Sequence, residues 1–158
     1  MGVPATHTTL NLSGKFTMNK TLTDQTALDA VLKLQGIGML KRTAAGLVAP
    51  TMCIRNVTDA AGVEHLEIEQ GVSGGPAPKP EVWPLAWTEK TSESPLLGTV
   101  HGLIEAEMRG GDAKWTFIQI WGVEEINGER RHIRHARCTG PKGKVIEMKF
   151  VYDYAGPL

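Results

Sequence analysis

The chain carries no excess of either charge: 17 basic residues stand against 17 acidic ones in 158. Without a net field, nothing holds a polyanion or an anionic bilayer at long range. Nucleic acid is therefore not an expected partner. Cysteine is scarce, with only Cys53 and Cys138. The two lie far apart, each inside an expected strand, and read as reduced core thiols rather than a disulfide framework. Long apolar runs are missing too, and the N-terminal stretch, with His7, Asn11 and Lys15, has neither a signal-peptide core nor a spanning helix. The expectation is a cytosolic protein with no membrane insertion. Also missing are the glycine-rich phosphate loops, the G-x-S-x-G nucleophile turn and any Cys or His pair at zinc spacing. His132 and His135 are three apart and so fall on opposite faces of a strand. No metal and no cofactor is implied.

What is present is ordinary globular composition, 41% hydrophobic and 22% charged, in one domain's length. Residues 1–9 lack periodicity and read as a flexible arm, leaving 10–158 as the single domain. The stretch from Leu10 to Thr51 organises the rest. It reads as a strand to Asn19, a helix from about Asp24 to Gln35, a second from about Ile37 to Leu47, and a strand restarting at Pro50. Thr23 is placed to cap the first helix, with Leu22 as a staple before it. Gly36 closes that helix, and Gly46 and Pro50 bound the second.

After Pro50 the pattern is strand and turn. Thr51 to Val57 and Glu64 to Gln70 form a hairpin, the latter alternating His65, Glu67 and Glu69 against Leu66 and Ile68. Gly71 to Pro80 cannot continue a ladder. Trp83 and Trp87 share a face of a segment interrupted by Pro84. Strands follow over Thr99 to Met108, Trp115 to Glu125, Arg130 to Cys138 and Val145 to Tyr154, and Asn127-Gly128 is a strong hairpin signal. The chain is thus mainly β: a closed up-and-down antiparallel barrel of about 8–10 strands with a two-helix lid between strands 1 and 2, its last strand pairing back to its first.

The segment Val31-Leu32-Lys33-Leu34-Gln35-Gly36-Ile37-Gly38-Met39-Leu40-Lys41-Arg42, followed by Ala45-Gly46-Leu47 and Pro50-Thr51, resembles the helix-turn-helix of the intracellular fatty-acid-binding proteins. Those are calycins, close in architecture to the lipocalins. Gly14-Lys15-Phe16 is similar to that family's opening Gly-x-Trp, Gln119-Ile120-Trp121-Gly122 to its Gln-x-Trp strand, and Phe150-Val151-Tyr152-Asp153 to its closing Arg-x-Tyr strand. The resemblance implies a hydrophobic ligand in a barrel lumen, with the face of Trp115, Phe117, Gln119 and Trp121 turned inward. Phe150 and His135 stand where the family carries lumenal arginines, which argues against a fatty acid.

Period two then assigns the remaining faces. Across the hairpin, Ile133, His135 and Arg137 are expected inward, with Arg130, His132 and Arg134 in solvent. On the last strand Ile146, Met148, Phe150 and Tyr152 are expected inward. Leu32, Ile37, Met39, Trp83 and Trp87 would complete the ligand contacts from the lid and the middle of the chain. His135, Tyr152 and His101 are the candidate acid/base groups. Each has a plainer alternative: the aromatics as core packing, His135 as a satisfied structural histidine, His101 on a face the pattern does not assign.

Two functions fit such a lumen of aromatic walls and few polar atoms. One is a cofactor-free enzyme that isomerises, cyclises or dehydrates an aromatic or polyene/terpenoid metabolite by acid/base assistance and conformer control. The alternative is a non-catalytic intracellular carrier of a small hydrophobic molecule. A carrier calls for arginine to hold a carboxylate, whereas His, Tyr and Gln suit proton transfer. A third option, haem on one lumenal histidine, would show a Soret band.

Overall fold

A computed structural model describes residues 2–8, 11–72, 80–84, 92–94, 98–100, 104–109 and 114–158. In chain order these form β1 (Gly14–Met18), α1 (Gln25–Leu34), α2 (Met39–Leu47), β2 (Pro50–Thr58), β3 (Glu64–Val72), β4 (Pro80–Pro84), β5 (Ser92–Ser94), β6 (Gly98–Val100), β7 (Ile104–Arg109), β8 (Thr116–Ile126), β9 (Glu129–Thr139) and β10 (Val145–Gly156). Six strands, in the order β3-β2-β1-β10-β9-β8, make a curled antiparallel half-barrel. β4 extends it beside β3 and β7 beside β8, while β5 and β6 pair only with each other. The last strand does pair with the first, Thr17 opposite Asp153 and Met18 opposite Tyr152. Among the described residues no ladder joins β4 to β7.

The curl is measured by Met52 and Arg134. They sit on β2 and β9, with β1 and β10 between them. In a flat sheet, strands three apart lie about 14 Å from each other. Yet the Arg134 guanidinium touches the Met52 sulfur, so the sheet wraps on itself and its inner face becomes a core. Phe16, Met52, Ile54, Leu66, Ile68, Trp121, Met148 and Phe150 fill that core.

α1 lies over one end of this core, with Val31 buried and Ala27, Leu28 and Leu34 packed against it. Asp24 caps it, its Oδ1 accepting from the Ala27 amide at 2.9 Å. The cap is therefore Asp24 and not Thr23. Thr23 is buried instead and clips the helix to β10: its hydroxyl accepts from the Val151 amide at 3.0 Å and lies 3.4 Å from the Val151 carbonyl. This occurs where β1 has ended and no longer supplies partners to β10. Gly140 leaves room for Leu34, since a Cβ there would lie 2.5 Å from a Leu34 methyl.

α2 buries none of its residues. Met39 is 73% exposed and Leu40 85%. Polar contacts hold it: Arg42 Nε to Asp29 at 2.9 Å, Arg42 Nη1 to the Ile37 carbonyl at 2.8 Å, and Lys20 Nζ to the Gly46 carbonyl. At the N-terminus, Val3 is buried and its amide bonds the Arg130 carbonyl at 2.7 Å. Arg130 in turn donates to the carbonyls of Pro4 and His7. Cys53 and Cys138 are free thiols, Cys138 buried. No helix among the described residues is long and apolar enough to cross a membrane.

Candidate functional site

The site is built by the β8–β9 hairpin. Asn127 and Gly128 both take positive φ, 55° and 79°, the signature of a two-residue turn whose twist matches the strands. That turn fixes the register, with Ile126 opposite Glu129, Trp121 opposite Arg134, Gln119 opposite Ala136 and Phe117 opposite Cys138. Directly opposed residues share a face. Because Trp121 is wholly buried, Arg134 is carried inside with it. β10 agrees, placing Phe150 opposite Arg134 and Tyr152 opposite His132.

This reverses the facing expected for β9. His132 and Arg134 point inward, 0% and 3% exposed. His135 and Arg137 point outward, His135 Nε2 meeting Glu124 Oε1 at 2.5 Å and Arg137 pairing with Glu147. The His135 bond is the main reason the Glu124 carboxyl is held below the usual carboxylate range. Ile133 is fully buried, opposite Gly122 and Val151, on the face away from Arg134. The reason for the reversal is the turn: a two-residue hairpin sets odd-numbered β8 residues against even-numbered β9 residues.

Inside, the polar groups form a chain. The Gly122 carbonyl accepts only, so His132 Nδ1, 3.1 Å away, carries the proton. His132 Nε2 is then bare and accepts from Arg134 Nε at 3.2 Å. Burial first, and the Arg134 charge second, hold the imidazole pKa down at about 3, so the ring is neutral. It stacks on Tyr152 at 5.4 Å and meets Phe16 and Trp121 at an angle. The guanidinium lies over Trp121, its carbon 3.6 Å from the ring centroid, and 5.1 Å from the Tyr152 ring. Burial lowers its pKa to about 10, which still leaves it cationic at neutrality. Among the described residues it has no carboxylate partner.

Arg134 faces a cavity of about 280 Å³ between α1 and the sheet. α1 lines it with Leu28, Val31, Leu32 and Gln35, the sheet with Met18, Pro50, Gln70, Phe117, Gln119, Phe150 and Tyr152. The lining is apolar with a few convergent polar groups, the ordinary make-up of a small-molecule site. A second cavity of about 410 Å³ lies between α1 and α2, and Leu28 and Leu32 border both.

Of the expected ligand contacts, Leu32, Phe117, Gln119, Phe150 and Tyr152 are brought together here. Trp121 and Met148 lie in the core behind them, with Trp115 half-buried beside it. Ile37 and Met39 do not line the cavity; Ile37 offers its carbonyl to Arg42, and Met39 faces solvent. Trp87 and His101 lie outside the described residues, as does the side chain of Trp83. Sequence reasoning missed Arg134 and His132, and in the lining Met18, Leu28, Val31, Gln35, Pro50 and Gln70. For the first two the signal was present, in the symmetry of the turn. No group of three or more His, Cys, Asp or Glu able to hold a metal occurs among the described residues.

One similarity bears on chemistry. The chain is 26% identical to Probable pericyclase scpY of Mollisia scopiformis, across 98% of this chain and 95% of that protein. The match is full-length. No family profile matches the chain.

Proposed function

We propose that this protein is an enzyme of the isomerase/cyclase kind that closes or rearranges a small hydrophobic, unsaturated metabolite within the cavity under α1. The observation that carries the reading is the coincidence of that apolar cavity with full-length similarity to a protein named as a probable pericyclase. A pericyclic reaction moves electrons around a ring within the substrate's own π system, so the protein need supply only shape and electrostatics. Phe117, Phe150, Tyr152 and the α1 side chains Leu28, Val31 and Leu32 supply the shape, holding a flexible chain in its reactive conformer. Such positioning alone is worth several kcal/mol of barrier. The calycin-like closed barrel remains the proposed architecture, supported by the pairing of last strand to first and by the helix pair between β1 and β2.

The test is metabolic. A source organism lacking the protein should accumulate a compound with the same elemental composition as the normal product but with one ring fewer. A change of composition, or no change of metabolites, would defeat the proposal.

A non-catalytic carrier is the second reading, and one observation favours it: the lumenal arginine that a carboxylate carrier needs is present, as Arg134.

A further inference from the structure

We infer that the molecule this cavity takes carries an acidic oxygen group, a carboxylate or the enolate of a 1,3-dicarbonyl, and that Arg134 holds it. The inference rests on the reading of the cavity as the ligand site, and it applies to enzyme and carrier alike.

Among the described residues lining the cavity there is one formal charge, the Arg134 guanidinium, and no carboxylate. The other polar side chains there are the amides of Gln35, Gln70 and Gln119 and the Tyr152 hydroxyl. A cation 3% exposed is costly to bury without an opposite charge, and the described residues offer it only neutral or soft partners: the His132 ring nitrogen, the Met52 sulfur and the faces of Trp121 and Tyr152. Those partners occupy Nε, Nη2 and one face of the plane. Nη1 makes no hydrogen bond to a described residue. His132, itself fixed by the Gly122 carbonyl, sets the rotation of the guanidinium. Among the described residues the arrangement is thus a fixed, desolvated cation without a counter-anion, and a bound acidic ligand would supply one. Arginine's planar fork suits a carboxylate or a dicarbonyl enolate, either of which offers two oxygens side by side.

The charge also has a use in a ring closure. An electron-poor alkene conjugated to an acyl group reacts faster when the acyl oxygen is stabilised, and a fixed cation in an apolar cavity stabilises it strongly. His132 acts only through Arg134, as a positioning residue.

The test is equilibrium binding of two matched probes, 2-naphthoic acid and 2-naphthylmethanol, followed by quenching of tryptophan emission at pH 7. Wild-type protein is expected to bind the acid at least tenfold more tightly than the alcohol. In Arg134→Met that preference should vanish while the affinity for the alcohol is kept. Equal affinities in the wild type, or a preference that survives in Arg134→Met, would overturn the inference and leave the cavity reading standing. Saturable binding of neither probe would overturn both. The wild-type comparison decides even if the variant fails to fold.

Discussion

Arg134 and Trp121 are directly opposed across the β8–β9 ladder, and the guanidinium carbon lies 3.6 Å above the indole ring. The indole gives the cation a favourable face but not a counter-charge, because a cation–π contact is worth only about 2 kcal/mol even when desolvated. The fold therefore tolerates a buried charge that it does not neutralise among its described residues, and such a residue is retained at the expense of stability.

Arg134→Met should accordingly be no less stable than the wild type, with an unchanged or higher thermal midpoint, because a side chain of similar length fills the space without a charge to desolvate. Turnover in the same variant should fall by at least about a hundredfold, the scale for losing one fixed donor at a developing charge. A fall in the midpoint of ten degrees or more would show that the guanidinium is structural.

His132 makes stability depend on pH. Its pKa is about 3 in the fold against an ordinary value of 6.5, so below pH 6.5 the unfolded chain binds a proton that the folded chain refuses. Its contribution is fully present above pH 6.5 and is lost as pH falls towards 3. The loss is roughly 1.4 kcal/mol per pH unit, or about 2 kcal/mol at pH 5. His132→Phe should remove about that much from the difference in urea-unfolding free energy between pH 7 and pH 5. An unchanged difference would mean that the ring is not buried neutral.

Thr23→Val should destabilise the protein by about 1–3 kcal/mol in urea unfolding. It deletes both contacts that tie α1 to Val151 and leaves the buried Val151 amide without its side-chain partner.

Arg42→Ala should loosen α2 alone. Its contacts to Asp29 and the Ile37 carbonyl are the main ties of a helix with no buried residue. Hydrogen exchange over residues 39–47 should quicken, while the thermal midpoint moves by no more than a few degrees, since the pair is partly exposed. Exchange at the wild-type rate would show that other contacts hold the helix.

Much of this fold was legible in the sequence. Gly36 separates the two helices, Asn127-Gly128 announces the hairpin, and the inward run Met148, Phe150, Tyr152 follows the alternation, whereas Gly46, expected to bound α2, lies inside it. The face of β9 was also legible and was read the wrong way round: Trp121 stands six residues before Asn127, and Arg134 six after Gly128, so they must face each other. The resemblance set His135 where that family carries a lumenal arginine, whereas the inward-facing residue here is its neighbour, Arg134. Part of the cavity lining was not legible, because Met18, Val31, Pro50 and Gln70 come from four elements that only the curl of the sheet brings together. α2 was misleading in another way: Met39, expected among the ligand contacts, stays in solvent together with Leu40 and Leu47.

The most direct measurement is conversion by purified protein. The ring-poorer compound accumulated in the absence of the protein should, when mixed with wild-type protein dialysed against a chelator and supplied with no cofactor, yield the normal product. Mass should be unchanged, and the rate should exceed the spontaneous one by at least about a hundredfold. His135→Ala, altered on the outer face, should keep most of that rate, while Arg134→Met should lose it. A rate no faster than the spontaneous one, a product of different mass, or a His135→Ala variant as dead as Arg134→Met would contradict the account.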